Sequence, residues 1–271
     1  MSDSRRPSGR PVEAFYDAYW EEGRVADSPH IRWKAEQTRR LSIARPDATV
    51  LDVGCGDGAI LGSVGRPGWS LVGVELSAAA ALEAKRRGVR PVRVDLERGR
   101  LPLRAASIDL AICYDVLEHV FDPMALLAEI HRVLRPDGTA LLCVPNAFNL
   151  FNRLTFLAGR YVDIMDTSHR SNDLFSEHIR LFSKRLFEAA VSRAAFSVRS
   201  RHFYFPDAFT DPRFRLAGSL ARVFTATGIH ALWPGLLSLG FLYECVKATG
   251  GDAVSCPPNT TARLTSSVKA P

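Results

Sequence analysis

Val50-Leu51-Asp52-Val53-Gly54-Cys55-Gly56-Asp57-Gly58 reads as a buried strand running straight into a glycine-rich turn. Apolar residues on both faces suit a parallel strand, and the glycines permit a tight turn and a close approach of a ligand to the backbone. A helical stretch follows from Ala59. Spacing alone leaves two readings open, because Gly54, Gly56 and Ala59 also satisfy the G-x-G-x-x-A fingerprint of dinucleotide-binding folds.

Reading outward from that turn, strands and helices alternate. Strands are expected at Thr49–Val53, Ser70–Glu75, Val89–Asp95, Ile108–Tyr114 and Thr139–Val144, with helices at Ala78–Arg87 and Pro123–Leu134 and a turn at Arg135–Gly138. This alternation implies βαβ units, a mostly parallel sheet and right-handed crossovers. The rhythm breaks over residues 146–183, which carry Asn146, Asn149 and Asn152 and an apolar stripe of Leu150, Phe151, Leu154, Phe156 and Leu157, and which read as an inserted helical cap. A helix at Lys184–Ala194, a strand at Phe196–Tyr204 and an apolar run at Leu236–Val246 complete seven strands. The fold class is therefore α/β, a doubly wound seven-stranded sheet. Residues 12–45 read as one or two helices whose aromatics pack into the core. The expected organisation is a disordered lead-in at 1–11, a single domain at 12–248 and a disordered tail at 249–271.

Composition narrows the partners. The net charge is +6, yet the 35 basic residues are scattered with no run of five, so no nucleic-acid footprint is expected. The five cysteines form no C-x-x-C pair, which argues against zinc or a disulfide scaffold and fits a reducing cytoplasm. The longest apolar stretch, Ala231–Tyr243, contains Pro234 and Gly235 and is too short for a membrane span. Peripheral membrane contact and oligomeric state stay open.

The acids resolve the ambiguity of the glycine turn. Asp52 stands two residues before the first glycine, where a carboxylate would repel a pyrophosphate but suits a cofactor bearing an amino group and a sulfonium. Glu75 closes the second strand, and Asp95 closes the third. Three acids at consecutive strand ends would line the crevice where such sheets bind nucleosides.

Four stretches, Val50–Gly58, Val72–Ser77, Leu110–Val120 and Arg132–Pro145, resemble in order the motifs of class I S-adenosylmethionine-dependent methyltransferases. Within that class the chain is similar to the small-molecule enzymes of the ubiquinone-biosynthesis O-methyltransferase type. The resemblance implies that Asp52, Gly54, Cys55, Gly56 and Gly58 surround the aminocarboxypropyl end of S-adenosylmethionine, that Glu75 and Leu76 hold its ribose, that Asp95 and Leu96 flank the adenine, and that Tyr114 and Asp115 lie beside the methyl group.

Methyl transfer needs alignment, and a hydroxyl acceptor also needs a base. The candidates are His178, His119 and Asp115, with His169 read as structural. The resemblance also implies an alternative in which Asp115, Glu118, His119 and His178 hold a divalent ion; the metal-free mechanism is preferred. The expected function is O-methylation of a small-molecule hydroxyl, on an aromatic, quinone-like, lipidic or sugar acceptor. Its rivals are a nicotinamide-dependent oxidoreductase and a degenerate fold serving as a partner subunit.

Overall fold

The computed structural model describes residues 11–21, 29–41, 45–98, 100–159, 178–205 and 232–248. His169, Cys256, much of the expected cap, residues 1–10 of the lead-in and the tail lie outside them.

Two helices, α1 (Pro11–Glu21) and α2 (Pro29–Leu41), precede the sheet. The alternating core follows as β1 (Thr49–Val53), α3 (Ala59–Val64), β2 (Ser70–Glu75), α4 (Ala78–Arg86), β3 (Arg90–Arg93), β4 (Ile108–Tyr114), α5 (Pro123–Val133) and β5 (Leu134–Pro145). Then come α6 (Leu150–Leu157), α7 (Lys184–Arg193), β6 (Phe196–Tyr204), the single turn α8 (Pro234–Leu237) and β7 (Gly240–Lys247). The sheet order is β3-β2-β1-β4-β5-β7-β6. All pairings from β3 to β5 are parallel, and β7 runs antiparallel to both β5 and β6. This is the seven-stranded, mostly parallel sheet expected.

Burial on both faces explains the continuous apolar strands. Every residue of β4 is buried. One face packs Leu51, Val53, Ala111 and Cys113 against α5 and α7, and the other packs Val50, Leu110 and Ile112 against α2, α3 and α4. Local signals set the helix starts. Ser77 accepts from the Ala80 amide, Asp122 from Ala125, Asn149 from Asn152 and Ser183 from Leu186, each closing an otherwise unpaired donor.

Three boundaries depart from expectation. β3 ends at Arg93, so Asp95 lies beyond the strand rather than closing it. Residues 135–138 are not a free turn: β5 begins at Leu134, which pairs with Ile108 before the register shifts. β7 starts only at Gly240, because Pro234–Leu237 form a helical turn. Within the cap, asparagines fix the chain leaving β5. Asn146 Nδ2 donates to the carbonyls of Gly235 and Ser238, Asn149 Nδ2 to that of Asn146, and Asn152 Nδ2 to that of Ala147. The apolar stripe of α6 is exposed.

Candidate active site

Parallel pairing brings the carboxyl ends of β1, β2 and β4 together, and the loops that follow them converge. Gly54, Gly56 and Gly58 all adopt positive φ, between 53° and 74°. Gly54 needs that freedom twice over, since a Cβ there would come within 2.5 Å of Val116 in the loop after β4. The loop is held from the second strand: Val74 O accepts the amides of Gly54 and Cys55. Cys55 is a buried free thiol packed against Gly73.

Glu75 does more than end β2. Its Oε2 accepts from the Gly56 amide at 2.9 Å, and its Oε1 accepts from the amides of Leu76 and Ser77, both at 2.8 Å. The carboxylate thus ties the glycine loop to the turn after β2. Burial nevertheless pushes its pKa up, outweighing these hydrogen bonds. Asp52 is also buried, and burial together with the nearby Glu75 carboxylate pushes it up to about 8, against the opposing pull of Lys34. A buried pair of carboxyl groups of this kind favours a cationic ligand, whose charge would restore the ionised form of Asp52.

The expected adenine pair lies in the turn after β3. Asp95 accepts from the Glu97 amide at 3.1 Å, and Leu96 opens a short 3₁₀ turn packed on the core. Tyr114 is buried, and its hydroxyl is engaged by Thr38 Oγ1 of α2 at 2.9 Å, so it braces α2 as well as ending β4.

Residues that the motifs did not single out complete the crevice. Asp17 of α1 accepts from Ser77 Oγ at 2.6 Å and from the Ala78 amide at 2.8 Å, docking α1 on the turn after Glu75. Trp20 lies on the glycine loop, where a Cβ on Gly56 would overlap its indole. Lys34 of α2, 4% exposed, donates to Asp115 Oδ2. His30 approaches the same oxygen at 3.9 Å and packs on Tyr204, with ring centroids 4.6 Å apart. Burial, reinforced by Lys34, holds the His30 pKa down at about 3, so it is neutral. The sequence signal was present: His30, Lys34 and Thr38 recur every four residues, one polar stripe along α2.

The segment returning from the cap runs along the loop after β4. Arg180 donates its amide to Glu118 O at 3.0 Å and its guanidinium to Phe121 O. This places His178 edge-to-face on His119, with centroids 4.8 Å apart. Glu118 is fully buried, and neither carboxylate oxygen has a hydrogen-bond partner among the described residues. Burial, with Asp115 nearby, pushes its pKa up to about 8. One donor atom from each of Glu118, His119 and His178 lies within 4.8 Å of the others. Asp115 does not join them, its carboxylate turning to Lys34.

Residues 51–142 match the family described as a methyltransferase domain. The chain carries an S-adenosylmethionine-dependent methyltransferase domain. It is 33% identical over 125 residues to a "Probable S-adenosylmethionine-dependent methyltransferase" of Mycolicibacterium smegmatis, covering 45% of each chain. It is 37% identical over 100 residues to the ubiquinone biosynthesis O-methyltransferase of Hahella chejuensis, covering 35% of this chain and 42% of that one. The matches to these methyltransferase relatives span less than half of their length. The methyltransferase fold extends further than the sequence match. A methyltransferase solved in complex with a Haloferax volcanii methyltransferase activator superposes with a TM-score of 0.61 at 19% identity, covering 86% of this chain and 98% of that one. The geranyl diphosphate C-methyltransferase of Streptomyces coelicolor does so with a TM-score of 0.54 at 18% identity, covering 90% and 86%. No helix among the described residues is long and apolar enough to cross a membrane.

Proposed function

We propose that this chain uses S-adenosylmethionine to methylate a hydroxyl oxygen of a small molecule. The observation that carries the reading is the convergence of Asp52 and Glu75 on the glycine loop, with Glu75 accepting from Gly56 at the point where a cofactor backbone contact is expected. S-adenosylmethionine supplies an electrophilic methyl group on a sulfonium. Asp52 answers the positive amino end, while Glu75 and the Leu76 turn hold the sugar. Asp115, His119 and His178 stand at the end of β4, the acceptor side. A ring nitrogen of His178 takes the acceptor's hydroxyl proton, and His119 orients that ring by its edge-to-face contact. The exposed apolar stripe of α6, beside the end of β5, supports an apolar or partly apolar acceptor. The kinship with ubiquinone biosynthesis O-methyltransferases supports oxygen as the attacking atom.

Titration calorimetry with S-adenosylhomocysteine and with NAD tests the cofactor. Tight binding of the first and none of the second is expected, and the reverse would return the chain to the oxidoreductases. Failure to bind either would favour a degenerate partner subunit. A screen of hydroxyl, amine and carboxyl acceptors with methyl-labelled cofactor tests the acceptor atom.

A second reading rests on the buried oxygens of Glu118. A carboxylate with two adjacent imidazoles suits a divalent ion, which such residues would hold against the acceptor oxygen to lower its pKa. Manganese binding lost in His119→Ala, together with chelator-sensitive turnover, would establish this version. Turnover indifferent to chelators would leave His178 as the base.

A further inference from the structure

Lys34 is a costly residue to bury. It reaches from α2 into the crevice with 4% of its surface exposed, and its ammonium also acts on Asp52 and Glu118. Its direct partner is Asp115 Oδ2. The other oxygen of that carboxylate, Oδ1, is buried with no hydrogen-bond partner among the described residues. Asp115 is also one of the non-glycine residues with positive φ, at 53°, a conformation that surrounding contacts must impose. Those contacts are visible. The Asp115 amide donates to Cys143 O, Tyr114 is engaged by Thr38, and Thr38 donates to Lys34 O one turn back. Val116, the next residue, abuts Gly54 of the cofactor loop. The unpaired oxygen therefore belongs to the residue directly before the one that packs on the glycine loop.

We infer that Lys34 is a positioning residue that fixes Asp115 so that Oδ1 accepts a hydrogen bond from an O–H or N–H group at the point of methyl transfer. Resting on the methyltransferase reading, this adds a specificity element: the acceptor presents a hydrogen-bond donor next to its attacking atom, whose own proton goes to His178. The Lys34 ammonium, in direct contact with Oδ2, favours the ionised carboxylate. The oxygen is then a charged acceptor, and a charge-assisted bond discriminates more strongly than a neutral one.

Sinefungin provides the probe, because it carries an amine where S-adenosylmethionine carries the transferable methyl, whereas S-adenosylhomocysteine carries neither. Affinities for both ligands are measured by calorimetry in the parent chain, Lys34→Met, Lys34→Arg, Asp115→Asn and the double variant Lys34→Met/Asp115→Asn. The double variant buries no unpaired charge and guards against misfolding of the single ones. The parent is expected to prefer sinefungin. That preference should fall about tenfold in Asp115→Asn, Lys34→Met and the double variant, with Lys34→Arg recovering part of it. Equal weakening of both ligands, or an unchanged preference, would overturn the inference and leave the pair a structural tie. A parent chain that binds neither ligand would instead overturn the methyltransferase reading on which it rests.

Discussion

Trp20 and Gly56 are in contact so close that the glycine has no room for a side chain: a methyl group there would overlap the indole. Gly56 also has positive φ, and its amide is bound by Glu75. Gly56→Ala is therefore expected to displace α1, distort the loop and lower S-adenosylhomocysteine affinity by at least tenfold. Calorimetry reads the affinity, and Trp20 fluorescence, isolated by Trp→Phe changes at the other three tryptophans, reads the displacement. Parent-like values in both would contradict the contact.

Asp52→Asn should separate stability from function. Burial and Glu75 raise the Asp52 pKa from 3.8 to about 8. For an acid whose folded pKa exceeds its unfolded value, the stabilising contribution is full below the unfolded pKa and is lost as pH rises through the folded one. Asn removes that loss, so the variant should melt several degrees above the parent at pH 8.5, with little difference near pH 4. Its cofactor affinity should fall, and the parent's affinity should rise between pH 6 and 8 as Asp52 becomes ionised. Calorimetry and thermal melts across pH check both halves.

Glu75→Ala is expected to weaken the fold as well as the cofactor site. The substitution strips an acceptor from three backbone amides, so a stability loss of about 1–3 kcal/mol accompanies the loss of binding. Glu75→Gln, which retains a carbonyl oxygen, should recover part of the stability. Denaturant melts would detect the difference; equal stability of Glu75→Ala and the parent would show that the loop is held by other means.

At the opposite end of the sheet, Asp109 provides the matched control. It is buried, accepts from the Thr49 amide at 2.8 Å and pairs with Arg135 and Arg45. Asp109→Ala should cost about 1–3 kcal/mol while leaving S-adenosylhomocysteine affinity within twofold of the parent. A marked loss of affinity would mean that the binding crevice is not confined to the carboxyl ends of the strands.

The parts of the site legible in the sequence were those written locally. The apolar run into Gly54, the acid closing β2 and the cap residues before the helices each announce themselves within a few positions. His178 beside His119 was implied by the resemblance, through the alternative metal set, and nothing in the local sequence brings the two together. Periodicity aligns His30, Lys34 and Thr38 on one face of α2, yet it cannot name the strand that face meets, so Lys34 escaped notice until tertiary packing set it against Asp115. Asp95 shows the converse. The apolar pattern continued past Arg93, but pairing with β2 stopped there, leaving an acid expected at a strand end in the turn beyond. Tyr114 occupies the expected position, with its hydroxyl engaged by a helix that local sequence could not place.

The position of β7 bears on how the molecule is made. It lies between β5 and β6, and among the described strands it is the only neighbour of β6. During synthesis on the ribosome, β6 emerges first but has no partner until residues 240–247 follow, and β5 keeps a bare hydrogen-bonding edge over the same interval. One late strand thus closes both gaps at once. A nascent chain halted before Gly240 should remain open to proteolysis across β6, while the β1–β4 half that holds Asp52 and Glu75 is already assembled.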